Sequence, residues 1–318
     1  MNDSILTAPD SLKIFSGTKV LITGHTGFKG TWLSLWLSQL GANVTGIAID
    51  VPTKPSHFDA AVLTNRLSDH RLDIRDGETL KNFVKELSPD FVFHLAAQPL
   101  VRRSYNEPVD TWQTNTMGTI NLLEALRELN NPCTAVLITS DKCYDNVEWI
   151  WGYRETDALG GPDPYSASKG AAELAIRSYV RSFFPAEGNV RIAVGRAGNV
   201  IGGGDWAEDR IVADCMSACS VGESVSLRNP LATRPWQHVL EPLSGYLALA
   251  SSLYEDVTLH GEPFNFGPPS DQNQSVGDLV VQMSKHWDQV RWTDESELYG
   301  GPYESGLLKL NCDKALHY

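Results

Sequence analysis

Three side chains with transferable protons stand next to one another in TSDKCY: the hydroxyl of Ser140, the carboxyl of Asp141 and the amine of Lys142. They follow the apolar run AVLI, so they sit where a strand ends. A second pair lies in YSASK, where Tyr165 and Lys169 are four residues apart and share a helix face. A phenol ordinarily ionises near pH ~10, and a neighbouring ammonium favours the phenolate. A tyrosine tuned in this way takes the proton of an alcohol while a hydride leaves the same carbon. Hydride transfer alone has no use for an acid beside the serine, so Asp141 raises the question of a further proton-transfer step. Cys143, beside them, reads as a buried filler rather than a nucleophile, since no histidine accompanies it in sequence.

A departing hydride needs an acceptor. TGHTGFKG places Gly24, Gly27 and Gly30 at GxxGxxG spacing between the strand KVLIT and an apolar helix. Glycines there permit a tight turn and let the backbone approach a pyrophosphate, which the helix N-terminus favours electrostatically. Asp50 ends the next strand, NVTGIAID, where an acid accepts hydrogen bonds from both ribose hydroxyls and repels a 2′-phosphate. NAD is thereby favoured over NADP. Asp50 also reads as a turn acid before Pro52. Asp73 in RLDIRD is placed to meet the adenine edge or, equally, is a solvated loop acid.

The elements that must position these groups alternate. FKGTWLSLWLSQLG carries Trp32, Trp36 and Leu40 at helical spacing and stops at Gly41. RLDI is a weak third strand, GETLKNFVKEL a helix and FVFHLAA a buried strand. PVDTWQTNTMGTINLLEALREL is one long helix opened by Pro108. AVLITS is a strand, PYSASKGAAELAIRSYVRSFF a helix and VRIAVGRAGNV a strand. This βαβ alternation predicts an α/β fold, a Rossmann-type doubly wound parallel sheet with a smaller mixed α/β substrate domain. The expected division is residues 1–196 plus about 237–262 for the NAD-binding domain, and 197–236 plus 263–318 for the substrate domain. His94, inside a strand, reads as a packed core histidine.

Bulk properties exclude several roles. The 318 residues carry a net charge of −13 with 42% hydrophobic residues, a composition unsuited to general binding of nucleic acid or anionic membranes. No apolar run reaches the length of a membrane span, and the N-terminal MNDSILTAPDSLKIF lacks the pattern of a signal peptide. The five scattered cysteines read as reduced thiols of a cytoplasmic protein. Cys215 and Cys219 share a helix face, but nothing nearby in sequence completes a metal site.

TGHTGFKG, HLAAQ, NTMGTINLL, TSDKCY and YSASK together resemble the extended short-chain dehydrogenase/reductase family that acts on nucleotide sugars, over essentially the whole chain. The resemblance implies a catalytic triad of Ser140, Tyr165 and Lys169, acting on the sugar's 4-hydroxyl. It also implies cofactor contacts at Gly24, Thr26, Gly27, Phe28, Gly30, Asp50, Asp73, Ile74, Leu95, Ala96, Ala97, Tyr165 and Lys169. Epimerases of that family have no acid after the serine, whereas its 4,6-dehydratases do. There an acid protonates the departing C6 hydroxyl, which requires that burial keep Asp141 protonated. Lys142 stands where related dehydratases carry a glutamate base. It serves either as a base in its neutral form or as the electrostatic partner of Asp141.

GHTGFKGTWL, TSDKCYDN, GGGDWAEDR and RPWQHVLEPLSGYL resemble the CDP-glucose 4,6-dehydratase branch. This implies retained NAD, CDP-glucose as substrate, and a product leading toward deoxyhexoses of bacterial surface polysaccharide. Substrate contacts are implied at Gln98, Asn199, Arg210, Arg234 and Tyr303, with Glu304 beside it. Arginine suits a diphosphate because its fork donates two parallel hydrogen bonds, although each of these arginines also reads as a surface ion-pair partner and Gln98 as a loop residue. Trp206 and Trp236 lie on loops expected at the cleft. The family also implies a homodimer or homotetramer through the helices 108–129 and 165–184. A 4-epimerase, a dehydratase for another nucleotide and a non-catalytic NAD-binding sensor are the competing readings. Asp141 speaks against an epimerase, and the complete triad against a sensor.

Overall fold

In the computed structural model, residues 9–269, 272, 274–298 and 305–318 are described. Seven parallel strands form the central sheet: β1 (Lys19–Thr23), β2 (Asn43–Ala48), β3 (Ser68–Arg71), β4 (Phe91–His94), β5 (Cys133–Ile138), β6 (Val190–Ala197) and a last strand, Pro263–Phe266. From the last strand inward the order runs to β6, β5, β4, β1, β2 and β3. The order reverses between β1 and β4, which opens a crevice at their carboxyl ends.

Every residue of β4 and β5 is buried, as expected of strands covered on both faces. On one face Leu33, Leu37, Leu243 and Leu247 pack over Val20, Ile22 and Phe93, while Phe15 of the N-terminal turn sits 4.8 Å from Phe91, ring to ring. On the other face Leu80, Val84, Leu122, Leu126, Ile176 and Val180 cover Leu21, Val92 and Leu137. A smaller core of Cys215, Cys219, Val225, Leu227, Val280 and Val290 joins the helices Ile211–Ser220 and Val276–His286.

Three expectations need correction. Pro263–Phe266, assigned above to the substrate domain, pairs with β6 and completes the main sheet, because its inward Phe264 and Asn265 are fully covered there. The third strand is Ser68–Arg71 and ends where RLDI begins; Leu72 and Ile74 are buried as loop residues. The helix after Pro108 is not uniform. It holds a π-helical stretch, Gln113–Met117, between the α-helical Pro108–Trp112 and Gly118–Arg127. There Asn115 leaves ordinary helical spacing to bond Gln98 N at 2.8 Å, Gln98 O at 3.1 Å and Ser168 Oγ at 3.0 Å.

Candidate active site

β5 delivers its chain into a single 3₁₀ turn, Asp141–Cys143, capped by Ser140. The Ser140 hydroxyl accepts from Lys142 N at 3.2 Å and donates to Asp141 Oδ1 at 2.9 Å. The helix Pro164–Phe183 opens beside this turn, with Pro164 in its first turn and Asp163 accepting from Ser166 N at 3.0 Å. It brings Tyr165 and Lys169, 7% and 6% exposed, to the same place. Gly170 makes the approach possible, since a Cβ there would lie 3.1 Å from Cys143 O.

Burial dominates the electrostatics. It pushes the Asp141 carboxyl up, against the pull of Lys142, the Ser140 hydrogen bond, Arg234 and Lys29. Its Oδ2 is buried and has no hydrogen-bond partner among the described residues. Lys142 is pushed down by burial and by Arg234, with Asp141 opposing. Burial brings Lys169 down to about 8, with Cys143 and Glu173 opposing, and lifts Tyr165 to about 12 while the Ser140 hydroxyl draws it back. A carboxyl drawn toward its acid form and an amine drawn toward its free base thus stand next to each other.

Sequence reasoning missed three further groups. Lys29 faces this site and is brought down to about 8 by burial and Arg210, with Asp141 opposing. Its Nζ lies 6.0 Å from the ring centroid of Tyr246, a fully buried tyrosine whose hydroxyl has no hydrogen-bond partner among the described residues. Asp205 is raised by burial against the pull of Arg210. Lys29 had a legible signal: a cation in the first turn of a helix opposes the dipole, so it calls for a reason. Tyr246 had none, since it lies mid-helix in an apolar run.

The glycine turn beside the site packs closely against the end of β4. Gly24 has φ +76°, and a Cβ on it would sit 2.7 Å from Ala96 N. A Cβ on Gly30 would lie 2.1 Å from Gly24 O. Ala96 N donates to Thr23 Oγ1 at 3.1 Å and Leu95 N to Thr23 O at 3.0 Å, which holds the β4 exit against the turn; Ala97 follows, half-buried. Thr26 donates to Asp50 O at 2.7 Å, tying the turn to the end of β2 and leaving the Asp50 side chain exposed. The helix Phe28–Gln39 starts after Gly27 with no side chain capping it, so its first N–H groups suit an anion. Asp73 is engaged elsewhere: Arg75 bonds both its oxygens and holds its carboxyl below the usual range. Ile74 is buried against Gly118, where a Cβ would meet its Cδ1 at 2.5 Å.

The residues expected at the sugar and diphosphate separate. Arg234 is buried, donates to Thr233 O at 2.8 Å and acts on both Asp141 and Lys142. Arg210 is half-buried and acts on Lys142 and Tyr165. Asn199 is half-buried beside β6, its carbonyl accepting from Gln237 N at 3.1 Å. Gln98 is consumed by its own loop: its amide nitrogen donates to Leu100 O and Thr111 Oγ1, and its Oε1 accepts from Leu100 N at 2.6 Å. Trp206 is exposed, and the Trp236 indole N–H is buried without a hydrogen-bond partner among the described residues. Tyr303 and Glu304 lie outside the described residues.

His94 is buried between Thr23 Oγ1 at 2.7 Å and Thr119 Oγ1 at 3.2 Å, and burial lowers it to about 3. Cys143 is fully buried, which pushes its thiol well up. Among the described residues no group of three or more His, Cys, Asp or Glu is arranged to hold a metal ion, and no helix is long and apolar enough to cross a membrane.

Residues 21–296 match the family model described as GDP-mannose 4,6 dehydratase. The chain belongs to this dehydratase family. Within the family, it is similar to a CDP-glucose 4,6-dehydratase of Salmonella typhimurium, with 50% identity over 95% of this chain and 85% of that protein. Two solved structures share the fold. An epimerase of Methanothermobacter thermautotrophicus matches at TM-score 0.80 and 22% identity, covering 97% of this chain and 88% of its own. A dTDP-glucose 4,6-dehydratase of Bacillus anthracis, in complex with NAD, matches at TM-score 0.76 and 18% identity, covering 95% and 90%. The dehydratase family thus accounts for the whole parallel sheet and its crevice.

Proposed function

We propose that this chain is an NAD-dependent CDP-glucose 4,6-dehydratase, converting CDP-D-glucose to CDP-4-dehydro-6-deoxy-D-glucose. The observation that carries the reading is the Asp141–Lys142 pair, the carboxyl buried and the lysine half-buried, beside Ser140, Tyr165 and Lys169. The 50% identity to the Salmonella enzyme supports cytosine as the base. The glycine turn, the uncapped helix start and Asp50 would hold NAD. When bound, NAD supplies the hydride acceptor at C4 and the hydride returned at C6.

The chain's own residues move the protons. Tyr165 takes the proton of the C4 hydroxyl, with Ser140 orienting that oxygen. Against burial, Ser140 and Arg210 draw the phenol back toward its phenolate, and the Lys169 ammonium stands on the same helix face. The C4 ketone acidifies the C5 proton. Lys142, drawn toward its free amine, removes it, while Asp141, drawn toward its acid, protonates the departing C6 hydroxyl as water. The pair enters elimination as amine and acid and leaves it as ammonium and carboxylate, whose mutual attraction offsets part of the desolvation cost. The Lys142 ammonium then returns its proton to C5 as the hydride reaches C6. Arg234 and Arg210 hold the diphosphate, and Arg234 lowers Lys142 further.

Exposed Val109, Trp112 and Met117 lie on the helices that begin at Pro108, and exposed Leu174 and Phe183 on the neighbouring helix. A homodimer through these faces, or a tetramer built from it, would cover them; light scattering measures the mass. Five unpaired thiols suit the cytoplasm. The test of function is mass spectrometry of CDP-, UDP-, GDP- and dTDP-glucose incubated with pure protein and NAD. Loss of one water from CDP-glucose, without net NADH, is expected. Epimerised product, or no change with any substrate, overturns the reading.

A further inference from the structure

Ser140–Cys143 carries three of the reacting groups, yet it is only a capped 3₁₀ turn. Within it Cys143 N donates to Ser140 O at 3.1 Å, and Cys143 O accepts from Gly160 N at 2.9 Å. A single turn closed by one internal backbone hydrogen bond constrains its own conformation weakly, so something outside must fix Asp141 and Lys142 relative to Tyr165. The residues immediately flanking the segment meet the same two partners. Thr139 Oγ1 donates to Glu173 Oε1, and Tyr144 Oη accepts from Arg196 Nη1 at 2.8 Å.

Glu173 lies one turn beyond Lys169 on the helix, and Arg196 lies on β6. The two form a bidentate pair, Nε to Oε1 and Nη2 to Oε2, both 2.8 Å, with each side chain 3% exposed. Arg196 Nη1 also donates to Glu155 O at 3.1 Å, and Tyr144 Oη donates onward to Asn265 Oδ1 at 2.7 Å in the last strand. Stability is a weak reason for such a pair, because well-packed apolar groups often replace one at no loss.

We propose that Glu173 and Arg196 are positioning residues for the dehydration, gripping Ser140–Cys143 at both ends and fixing it against the helix of Tyr165 and Lys169. This rests on reading those residues as the reaction centre. The Glu173 charge has a second effect, since with Cys143 it opposes the burial that lowers Lys169. The titratable groups around Lys169 are Tyr165, one turn back on its own helix, and Cys143, Glu173, His94 and Lys29.

The experiment compares wild-type protein with Tyr144→Phe, Thr139→Val, Glu173→Gln and Glu173→Asp, each with NAD bound. It follows enzyme-bound NADH in a single turnover with CDP-glucose across pH, together with steady-state kcat and KM. Tyr144→Phe keeps the ring and the ion pair, so the fold persists; kcat falls roughly 10-fold or more as the segment shifts, with KM little changed. Glu173→Gln moves the alkaline limb of NADH formation to lower pH, because Lys169 loses a charge that supported its own, and Glu173→Asp restores that limb. If Glu173→Gln does not fold, Tyr144→Phe and Thr139→Val decide. Wild-type kcat in both of these, or a rate loss in Glu173→Gln with the limb unmoved, overturns the positioning role and leaves the dehydratase reading intact. A wild-type protein that forms no NADH and releases no water removes both.

Discussion

Two acid–base pairs are linked through the Thr139–Tyr144 segment, and they are built oppositely. Glu173 and Arg196 come from different elements, meet through two parallel hydrogen bonds and recruit Thr139, Tyr144 and Glu155 for what remains. Asp141 and Lys142 are chain neighbours. One Asp141 oxygen takes the Ser140 hydroxyl and the other has no hydrogen-bond partner among the described residues. In the fully bonded pair, against the pull of burial, the Glu173 charge and hydrogen bonds raise the Arg196 guanidinium. An incompletely bonded one is left with the desolvation cost, which drives acid and amine toward neutrality. The first arrangement suits holding a geometry and the second suits moving protons.

The largest expected effect lies on the reactive side of this contrast. Tyr165→Phe should lower turnover by about 10²–10⁴-fold or more while NAD still binds, read by kcat and by calorimetric titration with NAD. Unchanged turnover would place the proton acceptor elsewhere. Asp141→Asn sharpens the comparison. Burial raises this carboxyl, so its charged form costs stability above its folded pKa, and the amide removes that cost. Turnover should collapse while the thermal midpoint at pH 7 holds or rises.

Arg196→Met tests the other pair. It strands the Glu173 carboxylate and should cost about 3–5 kcal/mol in urea unfolding. A loss below ~1 kcal/mol would mean that the two pairs do not differ as argued. A pH series follows. Lys169 has a folded pKa of about 8 against an ordinary 10.5. Between those values the unfolded chain binds more protons, so stability rises as pH increases across that window. Lys169→Met should flatten that part of the rise. The smallest effect is expected for Asp73→Ala: its pair with Arg75 is about a third exposed on each side. Its loss should cost at most about 1 kcal/mol, and NAD affinity should change little while Arg75 occupies that carboxylate.

Much of this was readable along the chain wherever cause and effect lie within one turn or one motif. The glycine turn, the Asp163–Pro164 helix start and the four-residue spacing of Tyr165 and Lys169 are local, and neighbouring residues suffice to specify them. Asp141 and Lys142 were legible as a reactive pair for the same reason. The third strand was misplaced because the apolar residues of RLDI are buried as loop, and apolarity reports burial rather than ladder hydrogen bonds. Gln98 was assigned to the sugar through the family resemblance, and in the fold its amide bonds Leu100 and Thr111.

What the sequence by itself determined is the fold class, the glycine turn of the dinucleotide crevice and the candidate groups for the proposed proton transfers. The tertiary structure alone decided which of those groups are shifted and what holds them still. Lys29 meets Asp141 across 112 positions of chain, Arg196 meets Tyr144 across 52, and Asn265 meets Tyr144 across 121. Burial and Coulomb coupling depend on distance through space and on the exclusion of water, and neither quantity exists until distant segments have packed.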